Sequence, residues 1–205
     1  MKTDSELKSM LNYQGMEFLI CENVYEPAED TFLLADNLLV KKSDNVLEIG
    51  TGTGIIAIIA SKKAKRVVTV DINRYAVECA RKNTEINLAC VDIRWGDLFD
   101  PVDDEKFDLI LFNTPYLPIE DDELVDDELE AAWNGGKDGR FVINRFIEGL
   151  VEHLNPGGRV QLVQSSLSNV EETTGRLMEL GFEVSITDSE RFFFEEVVVL
   201  TANLV

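Results

Sequence analysis

A single histidine and three cysteines are all the soft metal-ligand chemistry this 205-residue chain carries. His153 stands alone, and Cys21, Cys79 and Cys90 are widely separated, so no pair has metal-ligand spacing and no intrinsic metal site is expected. An odd, scattered set of cysteines fits reduced, packed thiols better than a disulfide framework. No apolar run approaches the roughly 20 residues that span a bilayer. The N-terminus, Met1 to Glu6, lacks a signal-peptide pattern, so a cytoplasmic protein without membrane association is expected. Basic residues are also scarce: 19 Lys and Arg stand against 39 Asp and Glu, for a net charge of −20. Much of the excess lies between Glu120 and Glu130. Nucleic-acid affinity comes largely from Lys and Arg neutralising phosphates, so direct nucleic-acid binding is not expected. A protein substrate with a basic surface suits such a chain better.

Hydrophobic content of 45% and charged content of 28% are those of a globular domain, and the length fits one domain. No repeat or low-complexity linker divides it. Residues 1–20 read as a short helix and an extended lead-in. Apolar positions from Phe32 to Leu39 have helical spacing, with Asp30 or Thr31 as the cap after Pro27. Strands over Val46–Ile49, Val67–Val70, Val91–Trp95, Phe107–Phe112 and Arg159–Gln164 alternate with helices over Ile55–Ala64, Tyr75–Asn87, Phe141–His153 and Val170–Leu180. Phe182–Ile186 and Val197–Ala202 close the chain with no helix between them. This predicts an α/β fold with a Rossmann-like, doubly wound, mostly parallel seven-stranded sheet and a C-terminal antiparallel hairpin. Residues 1–40 form the lead-in and first helix of a single domain, and residues 41–205 its core.

Two strand ends carry the chemistry. Gly50-Thr51-Gly52-Thr53-Gly54 follows the first core strand, where open α/β sheets bind ligands. Asp71, about 20 residues on, stands where a carboxylate grips ribose hydroxyls. Asp97-Leu98, after the third strand, suits an adenine amino group and ring face. The turn also satisfies a looser dinucleotide pattern through Gly52 to Ala57. Glu48, directly before it, argues against a pyrophosphate and for a ligand with positive centres, such as the sulfonium and amino group of S-adenosylmethionine. At the end of the fourth strand, Asn113-Thr114-Pro115-Tyr116 places a carboxamide before a proline turn and an aromatic ring. That combination grips a planar NH2 by its hydrogens and covers its face.

These motifs resemble those of class I S-adenosylmethionine-dependent methyltransferases. The run Val24-Tyr25-Glu26-Pro27-Ala28-Glu29-Asp30-Thr31-Phe32-Leu33-Leu34, with Gly135 to Arg140 and Gln164-Ser165-Ser166, is similar to the HemK-type enzymes of archaea and eukaryotes. The resemblance covers essentially the whole chain, without the long N-terminal substrate domain of bacterial relatives. It implies methyl transfer to the glutamine amide of the Gly-Gly-Gln loop in class I release factors. It also implies that Tyr25, Thr31, Glu48, Gly50, Thr51, Gly52, Asp71, Ile72, Asp97, Leu98 and Asn113 hold the cofactor. Asn113 and the Thr114 carbonyl would accept the substrate N–H bonds, Pro115 would hold the turn and Tyr116 would cover the amide. The family usually has two prolines after the Asn. Thr114 keeps the carbonyl but is expected to give up part of the rigidity. The alternative is an adenine or guanine exocyclic-amine methyltransferase acting on RNA or DNA. Relatives often work with a small zinc-binding activator protein, for which Val91, Ile93 and Trp95 on an edge strand are the expected docking site.

Overall fold

The computed structural model describes residues 6–118 and 134–205. The acidic run from Glu120 to Glu130 lies outside them. Two strands, β1 (Leu7–Tyr13) and β2 (Met16–Cys21), open the chain as an antiparallel hairpin. The core then alternates α1 (Glu29–Asp36), β3 (Asn45–Ile49), α2 (Ile55–Ser61), β4 (Arg66–Asp71), α3 (Arg74–Ile86), β5 (Asp92–Trp95) and β6 (Phe107–Asn113). It continues through α4 (Phe141–Leu150), β7 (Leu154–Ser165), α5 (Val170–Glu179), β8 (Phe182–Arg191) and β9 (Glu196–Leu204). The seven-stranded sheet runs β5-β4-β3-β6-β7-β9-β8. Strands β3 to β7 are parallel, while β9 runs antiparallel to both β7 and β8.

This order follows from the apolar pattern. Strand β6 is apolar at nearly every position because both its faces are covered. Ile110 and Phe112 pack toward Phe146 of α4, while Leu109 and Leu111 pack with Leu34 of α1 and Ile56 of α2. The chain builds β3, β4 and β5 outward, then returns to lay β6 beside β3. That reversal opens a crevice at the carboxyl ends of β3 and β6, the switch point of the sheet.

Three local expectations are corrected. Residues 7–21 form a hairpin rather than a helix. Gln14 and Gly15 take φ of 48° and 76°, the positive pair that a two-residue hairpin turn requires. The hairpin packs on α3, where the buried Asn83 carboxamide acts as a substitute strand. It accepts from the Leu19 N–H at 2.7 Å and donates to the Leu19 carbonyl at 2.9 Å. The same NH2 reaches the Thr53 carbonyl at 2.8 Å, tying the hairpin to the glycine turn. Cys21 and Cys79 are joined as a disulfide across this contact, with Cα atoms 6.0 Å apart, and only Cys90 is free. The residue that caps α1 is Ala28, and Asp30 and Thr31 lie inside its first turn, buried. His153, the single histidine, is buried. Its ring stacks on Phe99 at 4.3 Å, and Nδ1 lies 2.9 Å from the Gly149 carbonyl. Among the described residues, no helix is long and apolar enough to cross a membrane.

Candidate active site

A cleft of about 520 Å³ opens at the switch point. All eleven residues expected to hold the cofactor line it, together with Pro115. Gly52 has φ of 52°, and a Cβ built there would meet nothing within 4 Å, so a ligand can lie directly on this backbone. Its N–H donates to Asp71 Oδ2 at 2.9 Å, and the Asn73 N–H donates to Oδ1 at 2.8 Å, which locks the carboxylate at the end of β4. Glu48, at the end of β3, is buried and accepts from the hydroxyls of Thr69 at 2.5 Å and Thr51 at 3.2 Å. Asp97 does not stand free at the cleft wall. Arg145 of α4 donates to its Oδ2 at 2.7 Å and lines the cleft itself. Leu98 sits beside it with φ of 45°.

The acceptor side is a connected network. Asn113 Nδ2 donates to Thr31 Oγ1 at 3.3 Å, and the Thr31 hydroxyl donates on to Asp30 Oδ1 at 3.2 Å. Asp30 Oδ1 also accepts the Thr31 N–H at 2.6 Å. Its other oxygen accepts from the hydroxyls of Tyr25 at 3.2 Å and Tyr116 at 3.3 Å. Burial, with the Asp30 charge beside them, drives both phenols far above their ordinary range, so each keeps the proton it donates to Asp30. Asn113 Oδ1 is buried and has no hydrogen-bond partner. Buried acceptors are rarely left so, which leaves this oxygen free to accept from a ligand.

Thr114 and Tyr116 stand behind the cleft wall rather than on it. The Thr114 hydroxyl donates to the Val163 carbonyl of β7 at 2.6 Å, and its N–H reaches the same oxygen at 3.4 Å. A proline could make neither bond. The rigidity missing from the ring is replaced by this anchor to the neighbouring strand. Gly139, at φ of 70°, lets the turn over residues 135–140 lie on the Tyr116 backbone, where a Cβ would sit 2.3 Å from the Tyr116 carbonyl oxygen. The buried Arg140 guanidinium holds this turn through the carbonyls of Ser168 at 2.7 Å and Asn169 at 2.8 Å.

The family described as Methyltransferase small domain matches residues 26–190. The chain belongs to it. A relative from Methanocaldococcus jannaschii, given the provisional name protein N5-glutamine methyltransferase, is 46% identical over 194 residues, covering 94% of this chain and 98% of that one. Methyltransferase HEMK2 of Mus musculus is 37% identical over 172 residues, covering 78% of this chain and 80% of its own. Among solved structures, the E. cuniculi Mtq2–Trm112 complex, responsible for methylation of the eRF1 translation termination factor, superposes with a TM-score of 0.72 at 28% identity, covering 89% of this chain and 99% of that chain. The protein is an S-adenosylmethionine-dependent methyltransferase.

The cleft of this methyltransferase suits a cationic cofactor. Burial pushes Glu48 up to about 8, against the pull of the Thr69 and Thr51 hydroxyls and with help from the Asp71 charge. Burial likewise raises Asp71 to about 6, against its backbone N–H partners. Without a cation beside them, both groups bind protons that an unfolded chain would have released. Their burial therefore costs stability, and the cost grows as pH rises from the ordinary carboxylate range to about 8. A bound sulfonium and amino group favour the ionised carboxylates and offset that cost. Cofactor binding should accordingly release protons near neutrality, and affinity should tighten roughly tenfold or more between about pH 6 and pH 8. Titration calorimetry in two buffers of different ionisation enthalpy measures both. A pH-independent affinity with no proton release would contradict it.

Proposed function

We propose that this methyltransferase modifies the side-chain amide nitrogen of the glutamine in the Gly-Gly-Gln loop of a class I peptide chain release factor. The observation that carries the reading is the unpartnered, buried Oδ1 of Asn113 beside the cofactor cleft. An amide NH2 has two hydrogens to donate, and Asn113 Oδ1 and the Thr114 carbonyl are the two acceptors. The names of the relatives and the eRF1 activity of Mtq2–Trm112 support the same substrate. The net charge of −20 favours a basic protein surface over a polyanion.

S-adenosylmethionine supplies an electrophilic methyl group on its sulfonium. A glutamine nitrogen is a weak nucleophile because its lone pair is delocalised into the carbonyl. The protein's task is therefore alignment, which can contribute roughly 7–11 kcal/mol. Positive charge grows on the nitrogen as the bond forms, and the two fixed acceptors stabilise it there. Pro115 and the Thr114 anchor hold those acceptors still. Tyr116, fixed by Asp30 behind the cleft wall, braces the turn that presents them. The nitrogen loses its proton after transfer, so no strong base is required to begin.

The reading extends to a single domain over residues 1–205, working in the cytoplasm. A small zinc-binding activator would dock on β5, the sheet edge, where Trp95 is 52% exposed. The test supplies methyl-labelled cofactor with purified release factor, DNA or RNA, each with and without such an activator. Label is expected on the factor's Gly-Gly-Gln glutamine alone and absent from a Gln→Ala factor. Transfer only to nucleic acid would sink the proposal.

A further inference from the structure

The turn between β8 and β9 carries a feature the fold does not use. Phe193 is 92% exposed and Phe194 84%, and their rings touch only each other among the described aromatics, edge to face at 4.8 Å. The turn is closed by backbone, with the Phe192 N–H donating to the Glu195 carbonyl at 2.8 Å, so neither ring is needed to form it. Its position is fixed. The Ser165 hydroxyl donates to Glu195, and the Glu196 N–H donates to the Ser166 hydroxyl at 3.0 Å. Ser165 ends β7 opposite Val197 of β9, and Asn113 ends β6 beside Val163 of β7. The tip thus stands at the same end of the sheet as the cleft, on the side away from the glycine turn. Glu195 is near enough to raise both Tyr25 and Tyr116, the two phenols on Asp30.

Resting on the release-factor reading, we propose that the Phe193–Phe194 tip docks the intact protein substrate, by entering an apolar depression rimmed with lysine or arginine beside the methyl-accepting loop. Aromatic side chains ringed by polar groups are the usual anchors of protein interfaces, and each phenylalanine can bury roughly 150–250 Å². The rim here is acidic. Asp188, Glu190, Glu195 and Glu196 flank the tip along the chain, and Arg191, which lies 3.5 Å from Glu196, is the only cation from Asp188 to Glu196. The same carboxylates would be repelled by nucleic acid or an anionic lipid surface, which leaves a basic protein surface as the occupant. The placement separates two tasks: the cleft and Asn113 handle one amide, while the tip reads the body of the protein that carries it.

The experiment compares the wild type with Phe193→Ala/Phe194→Ala and Phe193→Tyr/Phe194→Tyr on intact release factor, with cofactor affinity measured alongside. The alanine pair should raise the KM for the factor about tenfold or more, leave kcat within about twofold, and leave cofactor affinity unchanged. The tyrosine pair should restore most of the loss. An unchanged KM in the alanine pair overturns the docking role. So does a fall in kcat at unchanged KM, which would place the tip in the chemistry. A wild-type dimer that becomes monomeric in the alanine pair at unchanged KM overturns it in favour of self-association. Failure of the wild type to methylate the factor refutes the glutamine reading before any variant is made, and the docking role with it.

Discussion

Asn113→Ala is expected to keep S-adenosylmethionine affinity within a few-fold while losing about 10²–10³ in turnover. Ten other residues of the predicted cofactor set line the cleft and remain in place. What the variant removes is a buried acceptor at the end of β6 that the fold leaves unpartnered. The cost falls on the transition state, because positive charge on the substrate nitrogen appears only as the methyl moves. Thr31 Oγ1 also loses the Asn113 NH2, but its bond to Asp30 survives, so the network behind the site persists. Single-turnover methyl transfer at saturating cofactor separates these effects. Near-normal turnover would remove Asn113 from the chemistry, and a collapse of cofactor affinity would make it a binding residue instead.

The parts legible in the sequence are those whose meaning is local. Glu48, Asp71 and Asn113 each end an apolar run of a parallel sheet, and strand ends in such a sheet converge on one crevice. The sheet and its closing hairpin follow from the same alternation of elements. The parts that were not legible depend on distant contacts. Strand β1 exposes Leu7 and Met10, so the hairpin shows too little apolar pattern to be told from a lead-in. Cys21 and Cys79 meet only because that hairpin lies on α3, 58 residues along the chain. Asp30 reads as a helix cap, yet it gathers Tyr25, Thr31 and Tyr116 into one network, and only the Tyr25–Thr31 run hinted at a shared place. Arg145, which takes up Asp97 from 48 residues away, left no local signal at all. Thr114 was legible as a lost proline but not as a new anchor, since the Val163 carbonyl lies 49 residues away.

Asp44→Ala should destabilise the protein by about 3–5 kcal/mol, because it strands the Arg159 charge in the interior. Asp44 is 2% exposed and Arg159 is 5%. The two form an ion pair, and Asp44 Oδ2 also accepts the Lys41 N–H at 2.6 Å. Arg159 reaches the Asp108 carbonyl at 3.2 Å, so one guanidinium joins the segment before β3 to β6 and β7. The Asp44 carbonyl accepts from Lys65 at 2.9 Å and Arg66 at 3.3 Å, which extends the cross-link to the start of β4. For a chain of this size each kcal/mol shifts Tm by about 2–4 °C, so a fall on the order of 10 °C is expected in a thermal melt. Arg159→Met combined with Asp44→Ala should lose less than Asp44→Ala alone, since no unpaired charge then remains buried. Cofactor affinity measured below the melt should be unchanged, because the pair lies at the amino ends of the strands while the cleft opens at their carboxyl ends. If Asp44→Ala weakened the cofactor without lowering Tm, this division between a stabilising end and a reactive end of the sheet would be wrong.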